Sequence, residues 1–344
     1  MKALIKENMQ DPGMVLKNVS EPVPQKGEAL IRIKAVGICG TDVHIYHNEV
    51  AVDTPVIVGH EFCGEVVMNV SDRADIQKGD KVISRLNLGV CGKCRACLSG
   101  NPHMCVHRMC PGFKKDGAYA EYIAIDADQL VKLNDDVDYK EGALAEPMAI
   151  VTHALLERSK VEPEDTVVVF GPGPIGLLAT QMSRVYGAGK IIVVGTDVDE
   201  PLRIPAAKKL GADVVLNAQK QDVAAEVMKL TDGQGADLVV EASGAAPAIN
   251  TGLDLLRRQG RMCVLGLPAK RSNQVNWLTA AEKSLDVIFN YSSSPTSWIT
   301  VASMINRKVI DTETIITHAY DMERYEELFD EIAKGNVIKG MLLP

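Results

Sequence analysis

The sequence predicts an α/β protein of two domains, a β-rich one and then a doubly wound parallel sheet with helices on its faces. Three observations carry this expectation. Short apolar runs broken by glycine and proline fill the first 150 or so residues, and strand-like and helix-like patterns alternate from Asp165 onward. A length of 344 residues also exceeds what a single hydrophobic core usually serves.

In the first part, residues 29–33, 64–67 and 79–83 read as strands bounded by turn residues, and helical signals are scarce. The character changes near Ala143, where ALAEPMAIVTHALLERS carries apolar residues at helical spacing. Candidate strands follow at 166–170, 190–194, 214–216, 238–241, 261–265 and 285–289, with helix-like stretches at 175–186 and 223–230 between them. That alternation is the pattern of a parallel sheet covered on both faces. Two further helical stretches, 298–306 and 322–334, precede a short apolar tail.

Composition narrows the function classes. Apolar residues make up 46% and charged residues 24%, as in an ordinary soluble globular chain. A net charge of -8 opposes nucleic acid and anionic membranes as partners. No apolar stretch is long enough to span a bilayer and the start, MKALIKENMQDPG, has no signal-peptide core, so a cytoplasmic location is expected. In a reducing compartment, clustered cysteines point to metal before disulfides.

The segment Val-Val-Val-Phe-Gly171-Pro-Gly173-Pro174-Ile175-Gly176 follows a β-branched strand and opens a helix. Gly171 permits the tight turn, Gly173 lets backbone approach a pyrophosphate, and Gly176 allows close helix–strand packing. The helix N-terminus offers free amide donors to phosphate. At the end of the second strand, Gly195 stands where an acidic residue is usual; Thr196, Asp197, Asp199 and Glu200 follow, and Arg203 is the first basic residue. The carboxylates favour NAD, since any one could accept from a ribose hydroxyl and all would repel a 2′-phosphate; the glycine keeps NADP possible. The acids could equally cap the next helix.

Cys91, Cys94, Cys97 and Cys105 place four thiols within fifteen residues, spacing that lets one loop wrap a tetrahedral zinc. With all four positions filled by protein, such a site shapes a loop and does no chemistry. A second set comprises Cys39, Thr41, Asp42 and His44 in one run, His60 and Glu61 in another, and Glu146 further on. Cysteine, histidine and carboxylate together suit a zinc with an open position. Taken singly, Cys39 reads as a core thiol, His60 as a turn residue, His44 as a surface histidine and Glu146 as a helix-start carboxylate.

The run GICGTDVH, the GHE triplet, the C-x2-C-x2-C-x7-C cluster, DGAYAEY at 116–122 and GPGPIG occur in that order across essentially the whole chain. Together they resemble zinc alcohol dehydrogenases of the medium-chain family, in the branch of the sorbitol (polyol) and threonine dehydrogenases. The resemblance implies a GroES-like catalytic domain over 1–150, completed by 290–344, and a Rossmann domain over 151–289. It implies two zinc ions per subunit and a homotetramer or homodimer formed through the sheet edge near 285–289. Cys39 and His60 would bind the catalytic zinc, with Glu61 and Glu146 as remaining ligands. Liver-type members carry a cysteine where Glu146 falls, and glutamate there is what polyol-type members look like. Asp42 resembles the carboxylate that hydrogen-bonds the zinc-bound histidine, and Thr41 and His44 match the family's proton relay.

The expected activity is hydride transfer between a polyol or other small secondary alcohol and NAD(P). L-Threonine and 2,3-butanediol are the alternative substrates. Rivals of another class are a zinc-free quinone or enoyl reductase and a non-catalytic protein on the same scaffold. Cys63, Cys110, Cys263, His103, His107, His153, His318, Trp277 and Trp298 receive no role.

Overall fold

The computed structural model describes residues 1–10, 13–268 and 272–344. They fall into two compact units, Met1–Ala149 with Ser294–Pro344, and Ile150–Ser293.

The first unit contains strands β1 (Lys2–Lys6), β2 (Met14–Asn18), β3 (Glu28–Gly37), β4 (Val56–Ile57), β5 (Glu61–Asn69), β6 (Lys81–Ser84), β7 (Tyr122–Asp126) and β8 (Leu130–Lys132). Its helices are short: α1 (Gly40–Tyr46), α2 (Arg95–Leu98) and α3 (Tyr139–Ala143). The start of α4 (Ala145–Thr152) also lies here. Helices of four to seven residues complete too few turns to show a 3.6-residue period, which is why the sequence shows little of them. The longest strand, β3, pairs antiparallel with β5 on one side and with β7 on the other. Its residues are buried almost without interruption, as a central strand requires. Ile31, Ile33, Val36, Phe62, Val66, Val82, Tyr119 and Ile125 form the core around it.

The second unit holds β9 (Thr166–Phe170), α5 (Pro174–Val185), β10 (Lys190–Gly195), α6 (Arg203–Lys209), β11 (Val214–Asn217), α7 (Val223–Leu230), β12 (Ala236–Glu241), α8 (Ala246–Leu255), β13 (Leu256–Val264), α9 (Trp277–Glu282) and β14 (Asp286–Phe289). All six strands run parallel in the order β11-β10-β9-β12-β13-β14. The Val-rich β9 and the Ile/Val-rich β10 are buried on both faces, the usual state of parallel strands under helices. The chain reverses direction across the sheet between β9 and β12, and ligands bind such sheets beyond the carboxyl ends of the strands at that point.

Back in the first unit, α10 (Pro295–Asn306), β15 (Ile316–Asp321), α11 (Tyr325–Ala333) and β16 (Lys339–Leu343) complete the chain. Strand β16 joins β3 antiparallel through Met341 and Leu342, so the apolar tail is a strand of the first sheet. The helical stretch after Ala143 is not one regular helix, because α4 passes at Thr152 into a π-helical turn over His153–Arg158. There His153 is buried and its Nδ1 lies 2.7 Å from Glu157 Oε2. No described helix is long and apolar enough to cross a membrane.

Candidate active site

Helix α1 carries four of the sequence-selected residues because of how it begins. Cys39 is its N-cap, and Asp42, one turn in, reaches back so that its Oδ2 accepts the Cys39 backbone N–H at 2.9 Å. Thr41 Oγ1 lies 3.7 Å from Cys39 Sγ. His44, in the last turn, is exposed, and its Nδ1 is 2.5 Å from Glu49 Oε2. One helix thus sets a thiol, a hydroxyl beside it and an imidazole in solvent.

Strand β5 begins at Glu61, and Gly59, with φ +89°, turns the chain so that His60 and Glu61 enter the interior. Ligand atoms of Cys39, His60 and Glu61 all lie within 4.8 Å of one another. His60 Nδ1 faces Asp42 Oδ1 at 3.6 Å, while the Cys39 thiol lies within hydrogen-bond reach of the ring. Burial alone would lower the His60 pKa, yet Asp42, Cys39 and Glu146 hold it well above 6.5. A soft thiol, an imidazole facing a carboxylate and a further carboxylate converging in a buried spot fit a zinc ion with an open position.

Glu146, in the first turn of α4, is buried but lies outside that 4.8 Å group. Burial raises its pKa to about 7, and the Glu61 charge pushes the same way while His60 opposes. Three neighbours were given no role in the sequence reading. Lys339 of β16 is buried, ion-pairs Glu61 and donates to the Ile38 carbonyl at 2.8 Å. Phe113 packs tilted against His60, with ring centres 5.5 Å apart and planes at 53°. Tyr119 donates to Asp42 Oδ2 at 2.7 Å. A lysine inside an apolar strand and a tyrosine inside the DGAYAEY run were the only available hints. Cys110, left without a role, is half-buried and within electrostatic range of His60 and Glu146.

Cys91, Cys94, Cys97 and Cys105 converge in a separate lobe, again within 4.8 Å of one another. Zinc–sulfur bonds of about 2.3 Å in a tetrahedron place sulfurs about 3.8 Å apart. The Cys105–Cys91 and Cys94–Cys97 sulfurs are separated by 3.7 and 3.5 Å. The Cys91 N–H points at Cys105 Sγ and the Cys94 N–H at Cys91 Sγ, donors that favour thiolates. All eight cysteines are free; Cys63 and Cys263 are buried in the core.

In the second unit, Gly171 has φ +85°, Gly173 is the N-cap of α5 and Pro174 its first residue. A Cβ on Gly176 would sit 2.0 Å from the Gly171 carbonyl oxygen, whereas one on Gly173 would meet nothing within 4 Å. Open space before a helix N-terminus fits a pyrophosphate. Ile175 follows in the first turn of α5.

Past β10, the acids turn out to be engaged with one another's neighbours. Asp199 Oδ2 accepts from the Thr196 N–H and hydroxyl, both at 2.9 Å, and its Oδ1 accepts from Arg203 at 3.2 Å. Asp197 and Glu200 share Asn217 and Lys220. Arg203 Nε is buried and has no hydrogen-bond partner among the described residues.

Residues 25–135 match the family model described as alcohol dehydrogenase GroES-like domain, and residues 174–307 the one described as zinc-binding dehydrogenase. A sorbitol dehydrogenase of Halalkalibacterium halodurans is 37% identical over 100% of this chain and 99% of that protein. An L-threonine 3-dehydrogenase of Streptomyces coelicolor is 35% identical, with 99% of each covered. A zinc-binding dehydrogenase from Sinorhizobium meliloti, solved bound to NADP, aligns with TM-score 0.93 at 26% identity over 100% of this chain and 99% of that one. With both halves matched and such relatives along its full length, the chain belongs to the medium-chain zinc-dependent alcohol dehydrogenases, in the sorbitol and threonine dehydrogenase branch, and is an NAD(P)-dependent enzyme.

Proposed function

We propose that this enzyme oxidises a small polyol at a zinc ion held by Cys39, His60 and a carboxylate, Glu61 or Glu146, and that a second zinc on Cys91, Cys94, Cys97 and Cys105 is structural. The convergence of the Cys39, His60 and Glu61 donor atoms beside Thr41 is the observation that carries this reading. Residues 1–150 with 290–344 would be the catalytic domain and 151–289 the dinucleotide-binding domain. Gly171, Gly173, Pro174, Ile175 and Gly176 would cradle the pyrophosphate, and Thr196, Asp197 and Arg203 would meet the adenosine ribose.

Cys39, His60 and a carboxylate would hold a zinc ion that would supply Lewis acidity to the substrate hydroxyl, and a nicotinamide cofactor would supply the hydride acceptor. The protein's part is proton handling and orientation. Thr41 would accept the hydroxyl proton at Oγ1 while giving up its own toward a relay, through the cofactor ribose once bound, that ends at His44, whose exposed ring at the other end of α1 opens to solvent. Asp42 faces the His60 ring at 3.6 Å from Nδ1, and its charge favours one orientation of the imidazole. The substrate becomes a ketone with loss of one hydride and one proton.

Sorbitol heads the substrate series because a relative of that name is 37% identical over the full chain. Oxidation of sorbitol, galactitol, inositols, threonine and butanediol, each with NAD and NADP, tests the reading. A polyol should give the highest kcat/KM, and Cys39→Ser should abolish turnover and reduce bound zinc from two atoms to one. Preference for threonine or butanediol would reassign the substrate, and turnover that survives a chelator and Cys39→Ser would refute the zinc mechanism.

A cytoplasmic homotetramer, or failing that a homodimer, is the proposed state of the enzyme. Support for the assembly comes from β14, an edge strand whose Phe289 is 62% exposed and is followed by the equally exposed Tyr291.

A further inference from the structure

One side chain touches both halves of the ligand framework without being a ligand. The Tyr119 ring is fully buried in the first unit. Its hydroxyl donates to Asp42 Oδ2 at 2.7 Å, with a longer approach of 3.4 Å to the Gly37 carbonyl. The same Asp42 oxygen accepts the Cys39 N–H, and the other faces His60 Nδ1. The phenol therefore fixes a carboxylate that holds the backbone of one ligand residue by a hydrogen bond and faces the ring of another at 3.6 Å.

A second contact acts through the main chain. The segment carrying Tyr119 is bonded to the segment leading into His60: Gly117 N donates to Ile57 O, Ala118 N to Gly59 O and Tyr119 N to Val58 O, at 2.7 to 2.9 Å. The ring lies flat against Gly59, where a Cβ would come within 2.5 Å of it. Gly59, already committed to φ +89°, thus leaves room for the aromatic face beside the residue that turns His60 inward.

From this geometry we propose that Tyr119 is a positioning residue of the catalytic centre, which holds Cys39 and His60 in zinc-binding register through Asp42. The proposal rests on the reading of Cys39 and His60 as ligands. A buried carboxylate oxygen with two donors is held in one place; with one donor it can swing, and the negative charge facing the imidazole is no longer fixed. Hydrogen-bond partners of this kind outside the ligand set are worth roughly 10–100-fold in metal affinity.

The test is Tyr119→Phe, which keeps the ring against Gly59 and removes only the hydroxyl. Purified enzyme is loaded with zinc, and release to a colorimetric chelator is followed in time, with Asp42→Asn and the double variant alongside. The expected result is two zinc atoms per subunit in the parent. In Tyr119→Phe, one should leave about 10–100-fold faster while the four-cysteine zinc leaves at the parental rate. In the Asp42→Asn background the tyrosine change should add less than about twofold, because its effect passes through the carboxylate.

The double variant contains no buried charge short of a donor, so it remains informative if the single variant does not fold. A further acceleration there overturns the proposal, and so do unchanged rates in the single variant. Parallel acceleration of both zincs would also overturn it, since that marks general loosening. A parent holding only the four-cysteine zinc would instead refute the assignment of Cys39 and His60, a distinct failure.

Discussion

Two residues have consequences that separate measurements can isolate. Burial gives Glu146 a pKa of about 7 in the folded chain against 4.5 for an ordinary glutamate. Between those values the folded chain keeps a proton that the unfolded chain has released, so stability falls as pH rises through that window. His60 and Asp42 are also shifted upward and contribute in the same sense. Thermal melts of zinc-free protein from pH 4.5 to 7.5 should therefore show a declining Tm, and Glu146→Gln should flatten part of the decline. Identical slopes would mean that this carboxylate is not held protonated. Arg203 bears on the cofactor. The acids expected to repel a 2′-phosphate are occupied by Thr196, Asn217, Lys220 and Arg203 itself, while Arg203 Nε has no partner among the described residues. Arg203→Ala should weaken NADPH binding by about tenfold or more, the scale of one charged hydrogen bond, and leave NADH within about twofold. Fluorescence titration of both nucleotides checks this; equal losses would place Arg203 in the fold alone.

Among elements, the β9–α5 turn offers the sharpest contrast, because two of its glycines are required for different reasons. At Gly176 a Cβ would collide with the Gly171 carbonyl, so Gly176→Ala should cost both stability and cofactor binding. At Gly173 the backbone has ordinary angles and a Cβ would meet no protein atom. Gly173→Ala should lower Tm by no more than about 2–4 °C, the cost of alanine at an N-cap, yet raise the cofactor Kd by about tenfold or more. A Gly173→Ala protein with parental affinity would show that the empty space is not where phosphate sits. Helix α1 is the comparable element of the first unit. Its Cys39–Asp42 capping interaction is also a brace for the proposed ligand set, so local helix chemistry and the metal centre share one carboxylate.

For the whole molecule, the testable quantity is assembly. Among the described residues β14 ends the six-stranded sheet, with an exposed Phe289 whose carbonyl accepts from Arg158 at 3.0 Å. An edge of this kind is either protected or paired, and pairing with a second copy would continue the sheet. Phe289→Lys puts a charge on that edge and should lower the mass measured by light scattering toward the monomer, with kcat/KM per folded subunit reported alongside. An unchanged mass would move the interface elsewhere.

The amino-acid sequence by itself determined what depends on neighbours along the chain. The strand–glycine–helix fingerprint, the four-cysteine ladder and the α1 run of Cys39, Thr41, Asp42 and His44 are short-range patterns whose meaning follows from backbone geometry and ligand spacing. The parallel strand pattern was legible for the same reason, since runs such as that of β9 are apolar on both faces. Tertiary structure alone decided which distant groups share a buried volume. Tyr119 meets Asp42 across 77 positions, held by main-chain bonds to the segment before His60, and Lys339 reaches Ile38 across 301 because β16 pairs with β3. Glu146 was read as a ligand beside Glu61; among the described residues Glu61 lies within the 4.8 Å donor group and Glu146 is buried outside it, while the acids after β10 are bonded to their own partners. Spacing along a chain fixes local conformation, but pairing between charges separated by whole sheets is fixed only when the core closes and each buried polar group must find the partner that burial demands.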